Sequence, residues 1–312
     1  MFYKNTKNKQ ILIISIIAII SILSIFFGYK YYKYRTSTTY KLNEIGYNKE
    51  EIKIIINKNK GINIALKQYH KNFSKIITSK YFMLNRLERY LDYNNKHKEI
   101  DIPTIISIVN TNCDKDFYTD PKTASGNDYL ILANKYNQLE KGFIPNDLVD
   151  ISIQYAYNGH QIRKDVNNEY IRMAKEAKKQ GLTLIVNSSF RLYEKQEEIY
   201  NSFVRKNGKE EADKQAARPG FSEHQTGLAL DLSTKLKENQ TFENTEEFIW
   251  LKDNSYKFGF ILRYPKGLEN ITGYQYEPWH YRYVGTEVAK IIHDENITFD
   301  EYYAFYLENN IK

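Results

Sequence analysis

His224, Asp231, Glu277 and His280 stand in two short stretches, Ser222-Glu-His-Gln-Thr-Gly-Leu-Ala-Leu-Asp231 and Glu277-Pro-Trp-His280, whose residue types suit metal-assisted hydrolysis. Gly227 can hinge the chain after His224. The strand expected over residues 228–233 then turns three leucines to one face and Ala229, Asp231 and Ser233 to the other. A carboxylate flanked by Leu230 and Leu232 sits at the edge of a core and needs a partner, which a metal would supply. In a second strand, expected over residues 279–284, His280, Arg282 and Val284 share one face. If the two strands are neighbours, His224, Asp231 and His280 converge. Two neutral imidazoles and one carboxylate leave a zinc ion a fourth position for water, the pattern of a catalytic rather than a structural site. Pro278 keeps Glu277 extended, so its carboxylate stands beside the metal, where it can accept a proton from an attacking water.

Each of these residues also has a plainer reading. A single histidine in a chain with six is usually structural, and His70, His97, His160 and His293 are assigned that role. The other four candidates differ in sitting in short polar segments punctuated by Gly and Pro at expected strand edges.

The elements that must position them read as follows. Val166, Tyr170, Met173, Ala174 and Ala177 lie on one helical face, and Gly181 supplies a stop. Residues 182–188 read as a buried strand, 193–206 and 209–217 as helices ended by Pro219, and 228–233, 260–263 and 279–284 as strands. Helices first and antiparallel-looking strands later predict an α+β domain, a small antiparallel sheet carrying the metal site and flanked by helices. Residues 102–149 read as an irregular, turn-rich lead-in. Residues 40–100 are helical and polar, with an Asn48-x-x-Glu51 capping signal ahead of Ile52, Ile55 and Ile56, and suggest a helical stalk or accessory layer.

Residues 11–27 carry no charge and, with Gly28 and Tyr29, reach the ~20 residues needed to cross a bilayer. Lys4, Lys7 and Lys9 precede the run and Lys30, Lys33 and Arg35 follow it, so flanking charge does not set the orientation. No small-x-small site follows, which favours an uncleaved anchor. The 45 basic and 38 acidic residues give a scattered net charge of +7, which suits an anionic wall or membrane face and does not predict nucleic-acid binding. An aromatic share of 15% argues against disorder over most of the length. Cys113, the single cysteine, excludes an internal disulfide and a multi-thiolate metal site.

Residues 130–303 resemble the VanY-type D-alanyl-D-alanine carboxypeptidases, zinc peptidases of bacterial cell walls. The matching motifs are Phe143-Ile-Pro-Asn-Asp-Leu148, Ser188-Ser-Phe-Arg191 with Gln196, Pro219-Gly-Phe-Ser-Glu-His-Gln-Thr-Gly-Leu-Ala-Leu-Asp231, Tyr256-Lys-Phe-Gly-Phe-Ile-Leu-Arg-Tyr-Pro265 and Glu277-Pro-Trp-His-Tyr-Arg-Tyr-Val-Gly285. The resemblance implies His224, Asp231 and His280 as ligands of Zn2+ and Glu277 as the base. It implies Arg191 as the grip on the substrate's carboxylate or developing oxyanion, with Gln196 and Ser222 assisting. The plainer reading of Arg191 is a strand-end salt bridge. Phe190 replaces a tyrosine common in the family, which removes any hydroxyl contact there.

By the same resemblance, the expected substrate is the terminal peptide bond of peptidoglycan stem peptides, outside the cytoplasmic membrane. The expected organisation is a cytoplasmic tip and transmembrane anchor over 1–35, the accessory segment over 36–101 and the zinc carboxypeptidase domain over 102–312, running N-in and C-out. Three rivals share the site residues: an L,D-carboxypeptidase, a cross-link endopeptidase, and a zinc-containing module that binds wall peptide without cutting it. The presence of Glu277 argues against the last.

Overall fold

The computed structural model describes residues 2–124, 128–234 and 239–308, with side chains from residue 12 onward except at 239–241. Lys4, Lys7 and Lys9, expected to flank the apolar run, therefore lie outside the described side chains. The chain divides into two compact units, Met1–Ile106 and Ser107–Lys312.

The first unit is helical. Helix α1 (Phe2–Arg35) contains the span Leu12–Arg35, 24 residues of mean hydropathy 2.6 with none of its most apolar stretch buried. At 1.5 Å per residue it reaches about 36 Å, longer than the ~30 Å hydrocarbon core of a bilayer. Length and composition fit a membrane span and a signal sequence alike. The helices α2 (Thr38–Ile45), α3 (Lys49–Lys58), α4 (Ile62–Ala65), α5 (Phe73–Thr78) and α6 (Leu87–Lys96) follow. Helix α3 starts where the sequence signals it: Glu51 N donates to Asn48 Oδ1 and Asn48 N to Glu51 Oε2, each at 3.0 Å. Such a reciprocal cap stabilises a helix start by about 1 kcal/mol. Leu42, Ile55, Phe73, Ile76 and Tyr90 are fully buried in this unit. Because none of the described α1 side chains, from residue 12 onward, is buried, removing residues 1–35 should shift the protein from the membrane pellet to the soluble fraction with its fold intact. Recovery of the truncated protein only with membranes would count against α1 as the single apolar anchor.

One expectation fails. Part of the stretch read as irregular is helix α7 (Ile102–Asn110). Ile102, Ile105, Ile106 and Val109 repeat at helical spacing, Asp101 caps the start by accepting from Thr104 N at 2.8 Å, and Pro103 sits in the first turn, where its missing N–H costs nothing. Pro103 masks a short helix that begins with it.

The second unit carries the sheet. Two short pairs come first, β1 (Lys122–Thr123) parallel to β2 (Asn137–Gln138) and β3 (Leu148–Asp150) antiparallel to β4 (Gln161–Arg163). Helix α8 (Lys164–Lys179) buries Val166, Tyr170, Met173, Ala174 and Ala177, the face read from sequence. A four-stranded antiparallel sheet follows in the order β5 (Ile185–Ser188), β6 (Ala229–Ser233), β8 (His280–Tyr283), β7 (Phe260–Leu262). Helices α9 (Tyr193–Asn207) and α10 (Lys209–Gln215) fall between β5 and β6, and α11 (Glu246–Asn254) between β6 and β7. One sheet face, with Val186, Leu230, Leu232 and Tyr281, packs into the apolar core with Tyr170, Met173 and Leu251. The fold is the expected α+β, a small antiparallel sheet flanked by helices and preceded by an apolar N-terminal helix.

Candidate active site

The sheet register builds the site. Asp231 on β6 lies opposite His280 on β8 and opposite Ser188 on β5, so the three form one row across the sheet. Leu230 pairs with Tyr281 on the core face, so the pleat turns Asp231 and His280 the other way. An irregularity between Val186 and Ser188 leaves Asn187 without a partner and shifts the end of β5, a bulge that re-aims the chain toward Arg191. His224 comes from a short 3-10 turn, Glu223–Thr226, closed by Gly227 at φ +65°. The positive φ favours glycine at 227, and a Cβ there would stand 3.0 Å from both Arg163 Cγ and Leu148 Cδ2, which would have to give by a few tenths of an ångström.

The structure brings His224, Asp231 and His280 together, with one ligand atom from each within 4.8 Å of the others. Asp231 Oδ1 lies 3.3 Å from His224 Nε2 and 3.3 Å from His280 Nδ1. That oxygen is buried and accepts no hydrogen bond, so a cation between the three residues is what would satisfy it. The outward atoms of two of the residues are tied. His224 Nδ1 sits 2.7 Å from the Ser189 carbonyl, which makes it the protonated nitrogen and leaves Nε2 free to ligate. Asp231 Oδ2 accepts from Arg191 Nη2 at 2.8 Å.

The electrostatics agree. Burial, reinforced by the Arg191 charge, lowers the His224 pKa to about 4, so the ring is neutral at physiological pH. Burial alone would also lower His280, yet Asp231, Glu223 and Glu277 around it push its proton affinity well above the ordinary range. An imidazole held that way marks uncompensated negative charge, which a divalent cation neutralises in place of the proton. Two neutral-capable imidazoles, one carboxylate and an open side form the donor set of a catalytic Zn2+ site.

Glu277 Oε2 stands 3.3 Å from His280 Nδ1, the nitrogen turned toward Asp231. Its backbone N donates to the Tyr264 carbonyl at 3.1 Å, which holds the residue extended ahead of Pro278. Burial raises the Glu277 pKa, toward the range useful for a group that takes and returns a proton near neutral pH.

These groups line a cleft of about 190 Å³ with Arg191, Gln196, Ser222, Tyr264 and Trp279. Arg191 donates through Nε to Ser188 Oγ (2.9 Å), through Nη1 to Gln196 Oε1 (3.1 Å) and through Nη2 to Asp231. Three of its five donors are thereby fixed, and two remain for a ligand in the cleft. The salt bridge expected on the plainer reading is present, and its partner is a metal-site residue. Gln196 is buried and also donates to the Ala217 carbonyl at 2.8 Å, so its amide steadies Arg191 and the chain after α10. Ser222 sits at the cleft wall, directly before the turn that carries His224. The remaining histidines are elsewhere: His97 and His293 stack on Tyr93 and Tyr256, His70 is buried in the first unit, and His160 reaches Ser189 Oγ at 3.2 Å.

Sequence reasoning missed a buried charge network behind the site. Glu223, Arg263, Arg282 and Asp300 are all buried, and Glu223 Oε1 accepts from both Arg263 Nε and Arg282 Nη1 at 2.7 Å. Arg263 also pairs with both oxygens of Asp300. Burial would raise the Glu223 carboxyl, but the two guanidiniums pull it far below the carboxylate range. A signal existed, since the strand alternation already placed Arg282 on the His280 face.

Three clustered donor groups with an open side, a carboxylate beside them and an arginine in the same cleft are the parts that metal-assisted hydrolysis requires. Residues 159–286 match the VanY family, D-alanyl-D-alanine carboxypeptidase. The chain is 41% identical over 181 residues to the putative carboxypeptidase YodJ of Bacillus subtilis, covering 56% of this chain and 66% of that protein. It is 36% identical over 182 residues to a D-alanyl-D-alanine carboxypeptidase of Enterococcus faecalis, covering 55% of this chain and 65% of that protein. The chain thus spans slightly less than two thirds of either relative. A solved structure of the LdcB LD-carboxypeptidase, described for its peptidoglycan recognition, superposes with a TM-score of 0.55 at 40% identity, covering 57% of this chain and 87% of that one. Residues 159–286 thus carry a VanY-type family domain.

Proposed function

We propose that the protein is a zinc-dependent D-alanyl-D-alanine carboxypeptidase that hydrolyses the terminal peptide bond of peptidoglycan stem peptides. The observation that carries this reading is the placement of Glu277 and Arg191 on the cleft that holds the His224, Asp231 and His280 donor atoms. His224, Asp231 and His280 would hold Zn2+, which would supply Lewis-acid activation of a water and of the scissile carbonyl. Arg191, oriented by Ser188 and Gln196, offers its two remaining donors to the substrate's terminal carboxylate. Glu277 accepts the proton of the attacking water at its carboxylate and returns it to the leaving amine. Residues 1–35 act as the anchor, 36–101 as an accessory segment, and the peptidase faces the wall, outside the cytoplasmic membrane. A protease added outside spheroplasts then reaches the catalytic residues; protection reverses this topology.

A second reading, an L,D-carboxypeptidase acting on tetrapeptide stems, is favoured by the likeness to the LdcB LD-carboxypeptidase. Incubation with defined tri-, tetra- and pentapeptide stems, with products weighed, separates the two. Loss of one alanine from the pentapeptide alone supports the D,D reading, whereas loss from the tetrapeptide alone replaces it with the L,D one.

Arg191 provides a further test. A guanidinium makes bidentate contacts that an ammonium cannot copy. Arg191→Lys should lower kcat/KM at least about tenfold, since one lost charge-assisted contact is worth ~1.5–3 kcal/mol. An unchanged kcat/KM with a lowered Tm would reduce Arg191 to its ion pair with Asp231.

A further inference from the structure

Glu223 divides its two oxygens between different tasks. Oε1 takes both arginines, Arg263 and Arg282, at 2.7 Å each. Oε2 is buried and takes no hydrogen bond, and it lies 3.5 Å from His280 Nε2. That nitrogen is buried and also without a hydrogen-bond partner. The two orphaned atoms face each other just beyond hydrogen-bond length. A carboxylate serving only as a counter-ion for two guanidiniums would be free to share both oxygens between them. Here the arginines crowd onto one oxygen, and the other is left aimed at the back of a ligand imidazole.

The arginines are themselves held from several sides. Arg282 Nη2 donates to the carbonyls of Tyr129 (2.9 Å) and Ile131 (2.7 Å), and its Nε to that of Tyr283 (3.0 Å). Arg263 is clamped by Asp300, whose Oδ1 also accepts from Asn134 Nδ2 at 2.8 Å. Glu223 therefore cannot swing away without stranding buried charge.

We propose that Glu223 is a positioning residue for the zinc site: its Oε2 accepts a hydrogen bond from His280 Nε2–H, fixes the ring with Nδ1 toward the metal, and is itself locked by Arg263 and Arg282. The contact closes to hydrogen-bond length when the metal holds His280 from the other side. The proposal rests on His280 ligating through Nδ1, a point the test reads separately. Partners on the far nitrogen of a ligating histidine orient the ring and raise its basicity, and their loss costs about 10–100-fold in metal affinity.

The first measurement needs no variant. In the full-length protein labelled with 15N-histidine and loaded with zinc, His280 is expected to show a metal-bound Nδ1 and a slowly exchanging proton on Nε2. A metal-bound Nδ1 with an Nε2 proton that exchanges as fast as in exposed imidazole overturns the Glu223 contact alone. An Nδ1 free of metal overturns the ligand assignment instead. The second measurement uses Glu223→Asp, which keeps the negative charge for both arginines but withdraws the carboxylate by one methylene. Zinc affinity by chelator competition should fall about 10–100-fold, and the metal-free protein should also melt lower, because the shorter side chain draws back from Arg263 and Arg282 as well. Zinc affinity within twofold of the parent protein would make Glu223 a counter-ion and nothing more.

Discussion

Replacing Glu277 with Gln should lower kcat by about 10²–10⁴-fold while fold, zinc content and stem-peptide affinity remain. Gln is nearly isosteric with Glu, so the backbone bond from Glu277 N to the Tyr264 carbonyl is unaffected and the segment before Pro278 stays extended. What disappears is the proton acceptor 3.3 Å from His280 Nδ1. Burial penalises a carboxylate more than an amide, which offsets part of the lost attraction to His280. Loss of zinc together with activity would show Glu277 to be a ligand rather than the proton carrier. Unchanged kcat with zinc retained would remove it from the reaction.

Truncating either histidine should have the larger effect on the metal. His224→Ala or His280→Ala leaves two protein donors where a catalytic zinc site uses three, and tight binding should be abolished from one zinc per chain to none retained through a desalting column. The two variants should differ in what they do to the apoprotein. His224→Ala removes a neutral ring whose Nδ1 is tied to the Ser189 carbonyl, and its cost is local. His280→Ala removes the group that stands between Asp231, Glu223 and Glu277, so three buried or half-buried carboxylates lose a shared partner. The metal-free His280→Ala protein should therefore melt lower than the metal-free His224→Ala protein. Metal analysis showing full zinc occupancy in the double variant would refute the ligand assignment.

Much of this site was legible before the fold. The alternation in residues 228–233 and 279–284 put Asp231 and His280 on the faces turned from the leucines and from Tyr281, and antiparallel pairing of β6 with β8 brings them opposite. The capping signal at Asn48 and the buried face of α8 were legible for the same reason, since local hydrogen bonds and periodicity are written in neighbouring residues. Contacts between distant segments were not. Glu223 follows Ser222 in the best-marked motif, yet its partners come from β8, from the residue after β7 and, through Asp300, from the C-terminal segment. Nothing local announces that two arginines will meet one glutamate oxygen. Helix α7 was missed because Pro103 reads as a breaker unless Asp101 is recognised as its cap.

The most direct test of the account is an anomalous-difference map recorded on crystals of the zinc-loaded protein on either side of the zinc absorption edge. One peak is expected, about 2.0–2.2 Å from His224 Nε2, Asp231 Oδ1 and His280 Nδ1, with Glu277 beside it but outside bonding distance. A peak bonded to Glu277 or Glu223, or zinc bound elsewhere with these three residues empty, would contradict it.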